Sequence, residues 1–408
     1  MSDVSPTLAK VARGALCAGC GGCALVAPEA ITMELSGHGF LRPRQHGQVP
    51  ADAEARIAAI CPGVGQTVDV QERPDDALWG PVLEMRQGWA TDPAMRHAAS
   101  SGGALSAVLA HLIESGVVDS VVQTAAAQTP PTGNAAVVSM TRQDVLQAAG
   151  SRYAPSSPLA DLSALLDGQK RHAFVGKPCD VAALRALALH DPRVNARIPV
   201  MMSFFCAGVP SLKGAAAVLD ALEAPRDDVT AFRYRGQGWP GFATATLRDG
   251  TTRQMSYHDS WGKILSKHVQ HRCKVCADGV GMAADIVCAD AWETDTRGYP
   301  LFEEQDGISL MVVRTKTGRD LMRAAETAGR LATADFDSTG LAEIQPGQSG
   351  RKRALVARLA GLRLMGLPTP RYRGLHLRAA ALQNRLPVNF KNFLGMIRRG
   401  LQGKIKET

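Results

Sequence analysis

The fold class is indicated most clearly by residues 171–190, "RHAFVGKPCDVAALRALALH". A short β-rich run, 171–176, is followed at once by a helical run, 180–190, with Cys179 in the turn between them. Runs of both kinds alternate from about residue 82 to 345. The β-rich runs include "VVDSVVQTAA", "AAVVSM", "IPVMMSFF" and "ISLMVVR", and the helical runs include "ALSAVLAHLIES" and "SLKGAAAVLDALE". This alternation predicts an α/β fold.

Three segments depart from the alternation. The stretch 229–258 has the composition of a hairpin or small antiparallel sheet, with its turn at "RDGT". Residues 1–75 are rich in cysteine and are separated from the core, 82–345, by the charged, proline-bearing linker "QERPDDALWGP". Residues 351–408 form a tail that is helical in pieces, interrupted by prolines. We therefore expect an N-terminal segment, an α/β core with a small antiparallel insertion, and a helical tail.

The composition is that of a globular protein. The chain has 408 residues, of which 45% are apolar and 21% charged. No run approaches the roughly 18 to 20 apolar residues that span a bilayer, and the N-terminus lacks an apolar signal core. We therefore expect a cytoplasmic protein, in which nine cysteines are better explained as metal ligands or reactive groups than as disulfides.

The first group of cysteines resembles a ferredoxin run that lacks its last ligand. In the pattern C-x2-C-x2-C-x3-C-P, Cys17, Cys20 and Cys23 fit, but Ala27 occupies the fourth position. In two-cluster ferredoxins that fourth cysteine serves the other cluster, and the first three are completed by a distant Cys-Pro. Cys61 precedes a proline and is the natural remote ligand. The spacing favours a 4Fe–4S cluster over a structural zinc site.

The other five cysteines lie in the core. Cys179 and Cys206 each follow a predicted strand, and Cys273 and Cys276 form a C-x2-C pair. Together they could close a second four-thiolate site, although Cys179 or Cys206 could equally be a catalytic nucleophile or a core residue. Cys288 is left over in a β-rich run, where a buried free cysteine is an ordinary small hydrophobe.

A phosphate-binding turn is predicted before one helix. "ASSGGALSAVLAHL" places two hydroxyls and two glycines directly ahead of an amphipathic helix, whose N-terminus can hold an anion. The candidates are Ser100, Ser101, Gly102 and Gly103. The alternative is a simple serine N-cap with a glycine-rich entry.

Two further motifs carry weaker candidates for the same site. "GSRY" offers a hydroxyl, a cation and an aromatic ring, and "GKPCD" places a lysine beside a cysteine. The residues are Ser151, Arg152, Tyr153, Gly176 and Lys177.

Six motifs in one order resemble a known family. They are "CAGCGGC", "RHAASSGGALSAVLAHLIESGVVDSVV", "AGSRYAPSS", "FVGKPCDVAALR", "FFCAGVPS" and "CKVCADGVGMAADIVCADAW", spread over roughly residues 15 to 345. The chain is similar to the coenzyme F420 hydrogenase/dehydrogenase beta subunits, a family that includes 7-hydroxymethyl chlorophyll a reductase and ferredoxin-dependent divinyl chlorophyllide 8-vinyl reductase. Two departures are Ala27, where many members have cysteine, and Ala289, where the family often has glycine before the aspartate.

The resemblance implies a flavoprotein with FAD and 4Fe–4S clusters, passing electrons between a one-electron carrier and a two-electron acceptor. It implies that Cys179, Cys206, Cys273 and Cys276 ligate a second cluster. We then expect a ferredoxin-like 4Fe–4S segment at 1–75, a catalytic α/β domain that binds FAD and a 4Fe–4S cluster at 82–345, and a basic amphipathic tail at 351–408.

Three functional hypotheses follow. The first is a ferredoxin-dependent flavin reductase of a small organic substrate, such as a tetrapyrrole, with Asp290, His97 or Tyr153 as proton donor. Asp290 could equally bind the flavin ribityl chain. The second is an electron-transfer subunit that serves a partner oxidoreductase or a deazaflavin coenzyme and has no organic substrate of its own. The third is a zinc-stabilised binding protein.

The charge pattern singles out the tail. Residues 351–408 hold fourteen Lys and Arg and one acid, a net charge of +13, whereas the rest of the chain has −5. Basic residues interleaved with Leu, Met and Val suit an amphipathic helix on an anionic membrane surface or a docking site for an acidic ferredoxin. The alternative is a solvated basic helix packed on the acidic core. No nucleic-acid-binding module is recognisable, so we expect no nucleic-acid partner.

Overall fold

A computed structural model describes residues 4–71, 73–291 and 304–405 of the chain. Trp292, the last residue of the "CKVCADGVGMAADIVCADAW" motif, lies outside these residues. Residues 4–71 contain three helices and three short strands, and β1 and β2 form an antiparallel hairpin. Their bounds are α1 Pro6–Arg13, α2 Gly22–Val26, β1 Ile31–Leu35, β2 Leu41–Gln45, α3 Ala51–Ile60 and β3 Gly65–Thr67.

Residues 73–225 begin the alternating core. The elements are β4 Asp75–Asp76, β5 Gly80–Pro81, β6 Glu84–Ala90, α4 Pro93–Ala98, α5 Ala104–Glu114, β7 Ser120–Ala126, β8 Asn134–Ser139, α6 Arg142–Gln147, α7 Ser163–Asp167, β9 His172–Gly176, α8 Pro178–Leu187, α9 Pro192–Arg197, β10 Val200–Phe204 and α10 Leu212–Ala221.

The rest of the core follows, and then the tail. The elements are β11 Val229–Arg233, β12 Phe242–Leu247, β13 Thr252–Ser256, α11 His271–Lys274, β14 Ile286–Asp290, β15 Ser309–Val313, α12 Lys316–Thr327, β16 Leu331–Asp335, α13 Leu341–Ile344, α14 Pro346–Arg353, α15 Leu355–Leu364, β17 Arg371–Arg373, α16 Leu377–Leu382 and α17 Leu386–Leu401. A π-helix, His258–Ile264, and two 3-10 turns, Arg226–Asp228 and Leu265–His268, complete the described elements.

An eight-stranded mixed sheet organises the core, in the order β16-β6-β15-β14-β10-β9-β7-β8. The four strands β14, β10, β9 and β7 run parallel to one another, and the outer pairings are antiparallel. The predicted α/β class is confirmed as a mixed α/β fold. The predicted small antiparallel sheet is also present, as β11-β12-β13.

The central strands are apolar on both sides, as parallel strands covered by helices require. All five residues of β9 are buried; Phe174 packs into one apolar layer, and Ala173 and Val175 pack into the other. The helix α8 starts directly after β9, with Pro178 in its first turn and the carboxylate of Asp180 accepting the backbone N–H of Lys177 at 2.9 Å. These local signals place the residues around Cys179 at the carboxyl end of the parallel strands.

The tail packs against the core. The strand β17 pairs in parallel with β3 of the N-terminal segment, and α17 lies against α15. The Lys352 ammonium donates to the carbonyl oxygen of Leu78 at 3.1 Å. The domain boundaries proposed from the sequence therefore stay predictions, with direct contacts running across them. None of the helices in the described residues is long and apolar enough to cross a membrane.

Candidate functional site: two cysteine pockets and a larger cavity

Four cysteines of the N-terminal segment line one small pocket. Cys17 and Cys20 lie on the loop between α1 and α2, Cys23 lies in α2, and Cys61 directly follows α3. The other pocket residues are mostly apolar. They include Leu8, Val11, Met33, Ile57 and Ile60.

The loop that carries these cysteines requires glycine. Gly21 has a φ of +86°, and a Cβ there would meet the backbone nitrogen of Ala160 at 2.7 Å. Ala27 does not line the pocket and instead packs in an apolar cluster with Ile31 and Ile57. A cysteine at position 27 is therefore not needed to complete this pocket.

Burial makes these thiols hard to ionise. The pKa of Cys61 is raised to about 11, first by burial and then by Cys17, against the lowering effect of nearby backbone amides. Burial also raises the pKa of Cys20 and Cys23, and the other cysteines of the set raise both further. Such thiols lose their protons when a highly charged metal group binds them.

The second set of cysteines lines a second small pocket. Cys179 lies in the first turn of α8, Cys206 follows β10, and Cys273 and Cys276 flank the end of α11. The pKa of Cys206 is raised to about 12 by burial and then by Cys273, against the opposing effect of Arg351. Burial likewise raises the pKa of Cys179 and Cys276.

Nitrogen donors reach the sulfur of Cys273. The backbone N–H of Val209 donates to Sγ at 3.4 Å, and the Gln270 amide donates at 3.3 Å. In the first set, the N–H of Gly19 donates to Cys17 Sγ at 3.4 Å. Hydrogen bonds to sulfur are one of the means by which proteins tune iron–sulfur groups.

Among the described residues, each cysteine set is spread around a pocket rather than gathered at one point. No three His, Cys, Asp or Glu side chains in the described ranges stand close enough to hold one metal ion. Each set instead surrounds a pocket with four thiols. A 4Fe–4S cube spreads its irons over separate corners, so its thiolates stand farther apart than the ligands of a tetrahedral zinc.

The two cysteine pockets adjoin each other. Ala18 lines both of them. The buried Arg272 guanidinium donates to the carbonyl oxygen of Pro62, next to Cys61, at 2.8 Å, and to the hydroxyl of Tyr372 at 2.8 Å. Burial lowers the pKa of Arg272, but Tyr372 and three cysteines of the second set outweigh it and raise the pKa overall. One buried cation therefore faces both cysteine sets.

A cavity of about 290 Å³ opens beside the second cysteine pocket. Cys206, Gly208 and Val209 line both. The cavity lies at the carboxyl ends of β9, β10 and β14, where parallel α/β sheets place their ligand sites. Cys288 lines it as a buried residue of β14, and burial raises its pKa to about 12.

Most of the sequence-predicted flavin residues line this cavity. They are Ser100, Ser101, Gly103, Ser151, Arg152, Tyr153, Lys177 and Asp290. Ser100 and Ser151 are joined by a hydroxyl–hydroxyl hydrogen bond of 2.7 Å. Gly102 and Gly176 do not line the cavity, and a Cβ at Gly102 would meet the carbonyl oxygen of Gly88 at 2.6 Å. These two glycines provide close backbone packing behind the site.

The two predicted cations already have partners. The Arg152 guanidinium donates to the carbonyl oxygens of Phe232 at 2.8 Å and Gly133 at 2.6 Å, and also to Asn134. The Lys177 ammonium pairs with the buried Asp180 carboxylate at 2.8 Å. A ligand in the cavity would therefore meet these two cations already engaged, Arg152 by carbonyl oxygens and Lys177 by a carboxylate.

Two of the three candidate proton donors, Asp290 and Tyr153, line the large cavity, and the third, His97, does not. Both oxygens of Asp290 accept hydrogen bonds from Arg235, at 2.7 and 2.9 Å, and one also accepts from Trp239 Nε1 at 2.9 Å. Tyr153 lies in the cavity. His97 lines a different pocket, of about 230 Å³, with Trp89 and Trp239. Asp290 is thus engaged as an acceptor, and His97 does not reach the larger cavity.

Sequence reasoning missed an aromatic wall. Tyr257 lies directly before the π-helix and Trp261 lies within it, and both line the cavity. The centres of the Trp261 and Tyr153 rings are 4.8 Å apart. Burial, followed by Tyr153, raises the pKa of Tyr257 well above its usual value. Their i, i+4 spacing in "YHDSW" was the available signal. Tyr234, in contrast, is core of the antiparallel sheet.

Comparison with known proteins places this geometry in a family. Two family models, the N-terminal and the C-terminal part of the beta subunit of coenzyme F420 hydrogenase/dehydrogenase, match residues 85–163 and 169–339 respectively. The chain is 23% identical to the coenzyme F420 hydrogenase subunit beta of Methanosarcina barkeri, over 67% of this chain and 87% of that protein. It is 24% identical to the F420-dependent formate dehydrogenase 1 subunit beta of Methanococcus maripaludis, over 63% of each chain.

A solved structure agrees on the fold. A chain of the F420-reducing NiFe hydrogenase complex from Methanosarcina barkeri superposes with a TM-score of 0.53 at 22% identity, covering 68% of this chain and 91% of that one.

Proposed function

We propose that this chain, which belongs to the coenzyme F420 hydrogenase/dehydrogenase beta-subunit family, is an iron–sulfur flavoprotein subunit. In this proposal it relays electrons between a partner redox protein and a two-electron carrier. One observation carries the proposal. The two cysteine pockets and the large cavity are contiguous, joined first at Ala18 and then at Cys206, Gly208 and Val209.

The residues divide into three holding sites. One 4Fe–4S cluster would be held by Cys17, Cys20, Cys23 and Cys61, a second by Cys179, Cys206, Cys273 and Cys276, and FAD by the large cavity. When bound, the clusters supply one-electron transfer and FAD exchanges single electrons for pairs. The protein's own contribution is to keep the three sites adjacent and largely shielded from water.

Within the cavity, the chain supplies orientation and charge. The N-terminus of α5, an eleven-residue helix preceded by Gly103 in a left-handed conformation, would offer its first backbone N–H groups to an anionic phosphate. Tyr153, Tyr257 and Trp261 offer ring faces for a planar isoalloxazine. Asp290 accepts hydrogen bonds from Trp239 and from Arg235, and Arg235 lines the cavity with it.

The partner follows from the relatives' names. Two of the relatives are beta subunits of F420-linked enzymes, and the superposed chain comes from a hydrogenase complex. We propose that this chain likewise works beside a partner redox protein, and that a deazaflavin coenzyme is the two-electron carrier at the cavity.

A second candidate is a ferredoxin-driven reductase with its own small organic substrate. It is favoured by the separate pocket of about 230 Å³ that contains His97, Trp89 and Arg96. An acceptor there could receive its proton from His97. Mixing the photoreduced protein with a deazaflavin coenzyme or with candidate organic acceptors, and following flavin reoxidation, distinguishes the two functions.

The deciding experiment is iron analysis of anaerobically purified variants. Cys61→Ser and Cys206→Ser should each lose about half of the acid-labile iron and sulfide, because each removes one thiolate from a different set. Cys288→Ser is the matched control, since this cysteine lies outside both sets, and it should keep the full iron content. A colourless protein with one zinc per set, or equal iron in all variants, would refute the proposal.

A further inference from the structure

The last long helix, α17, has a buried face and an exposed face. On the buried side, Met396 is only 3% exposed, and Gly361 of α15 lets the helices approach so closely that a Cβ there would meet the carbonyl oxygen of Phe393 at 2.9 Å. The Arg358 guanidinium of α15 donates to Asn392 at 3.0 Å. The helix is therefore fixed to the body of the protein before it meets any partner.

The exposed side of α17 is apolar. Leu386 is 82% exposed, Phe390 62%, Leu394 46% and Leu401 82%. Spacings of four, four and seven residues place all of these side chains along one face of a helix. Leu382, at the end of α16 and four residues before Leu386, is also exposed. Large apolar side chains are scattered singly on most soluble surfaces, whereas a continuous row marks a binding surface.

Cations border the apolar row. Lys391 and Arg398 lie on α17 beside it and are exposed. Further exposed cations flank it on the neighbouring segments: Arg378, Arg385 and Lys404. Between residues 351 and 405, all of which the structure describes, there is no acidic side chain. Every Lys, Arg, Asp or Glu side chain of this described part of the tail is therefore a cation.

We infer that this face of α17 binds the surface of an anionic lipid bilayer. An apolar row edged by Lys and Arg is the pattern of a helix that lies in the plane of a membrane interface. A helix of sixteen residues extends about 24 Å along its axis, which suits lying on the bilayer. The family models end at residue 339, so this surface lies outside the segment that defines the family.

Membrane attachment would also orient the electron-transfer sites. Arg358 bonds the carbonyl oxygen of Lys274, between Cys273 and Cys276, at 2.9 Å and bonds α17 through Asn392. The second cysteine pocket is thereby held at a fixed position relative to the lipid-binding helix.

The test is co-sedimentation of the full chain with vesicles of phosphatidylcholine alone and with vesicles in which phosphatidylglycerol replaces part of it. Binding should require the anionic lipid and weaken with added salt. The double variant Lys391→Gln/Arg398→Gln should bind about 30-fold more weakly, and Leu386→Ser/Phe390→Ser at least about tenfold more weakly.

Matched controls make the same changes elsewhere. Arg253→Gln/Lys267→Gln removes two exposed cations, and Leu189→Ser removes an exposed leucine. Both should bind like the unmodified chain, and thermal unfolding should show that every variant is folded. Absence of binding to anionic vesicles, or equal loss in the controls, would overturn the inference. A stable dimer that Leu386→Ser/Phe390→Ser dissociates, without vesicle binding, would assign the face to a second copy of the chain instead.

Discussion

Arg272 lies next to both cysteine sets. Its guanidinium is buried, donates to the carbonyl oxygen that follows Cys61, and has its pKa raised by Tyr372 and the second cysteine set. A positive charge near a redox group favours the reduced form, because reduction adds negative charge. A single side chain thus acts electrostatically on both proposed clusters.

We expect Arg272→Leu to lower the reduction potentials of both iron–sulfur groups by tens of millivolts, because the buried charge is lost. Arg272→Lys keeps the charge and should shift the potentials less. Potentiometric titration followed by electron paramagnetic resonance measures both. Unchanged potentials in an Arg272→Leu protein with full iron content would show that this cation does not tune the clusters.

The first cysteine set could be proposed from the sequence, because three of its members lie within one short motif, whereas the second set was implied by the family resemblance. The pairing of Cys61 with the first three cysteines rested on a Cys-Pro dipeptide, and the structure brings all four to one pocket. Arg152 and Lys177 were harder to judge. The partner of Arg152, the carbonyl oxygen of Phe232, comes close only when the chain folds. The partner of Lys177, Asp180, is close in sequence, but the sequence does not show whether the lysine pairs with it or with a ligand.

At the scale of elements, the strand–turn–helix units were predictable and their neighbours were not. Alternating β-rich and helical runs predicted the α/β class, because each strand–turn–helix motif lies within one short stretch of sequence. The order of strands in the sheet is set by tertiary packing. The strands β15, β6 and β16 extend one side of the sheet through antiparallel pairings, although β6 is distant in the chain from the other two. The π-helix that carries Trp261 was not recognised from the sequence, although Tyr257 and Trp261 lie four residues apart in "YHDSW".

The turn before α5 is built from close backbone contacts. A Cβ at Gly102 would meet the carbonyl oxygen of Gly88 at 2.6 Å and the nitrogen of Ser309 at 2.7 Å, both in core strands. We expect Gly102→Ala to lower the free energy of unfolding by about 1–3 kcal/mol and to reduce the flavin content, since the helix N-terminus must shift.

Flavin per polypeptide and the urea midpoint measure these effects. Gly347→Ala is the matched control, because a Cβ there meets no atom within 4 Å and alanine favours a helix. Normal flavin content in Gly102→Ala would show that this turn does not position the cofactor.

The helix α14 buries a lysine against the core. The pKa of Lys352 is lowered to about 8, chiefly by burial, from an ordinary value of 10.5. Between pH 8 and 10.5 the unfolded chain therefore binds more protons than the folded chain, so stability rises with pH in this range. Below pH 8 the buried charge costs about 3 kcal/mol of unfolding free energy.

We expect Lys352→Met to be more stable than the unmodified protein near pH 7.5, with the difference shrinking as the pH approaches 10.5. Urea unfolding of both proteins across this range gives the difference directly, and other titrating groups cancel. A difference that stays constant with pH would mean that Lys352 remains charged in the folded chain.

In the whole molecule, the tail contacts the loops that carry the second cysteine set. Charge alone marked residues 351–408 as a separate basic segment, because sequence composition does not reveal long-range contacts. Arg351 donates to the carbonyl oxygen of Cys206 at 2.8 Å, and Tyr372 donates to that of Val275 at 2.6 Å. The first half of the tail therefore braces the loops of the second cysteine set, and the second half carries the exposed face of α17.

Two truncations separate these roles. Ending the chain after residue 350 removes Arg351, Arg358 and Tyr372, which contact the loops of the second cysteine set. We expect this chain to lose at least half of its iron, although all eight cysteines of the two sets remain. Ending it after residue 384 removes only α17 and its flanks, and we expect retained iron with vesicle binding abolished. Iron analysis and vesicle co-sedimentation on each protein measure the two outcomes. Full iron content in the chain that ends after residue 350 would contradict this role of the tail, because the cysteine loops would then keep their conformation without it.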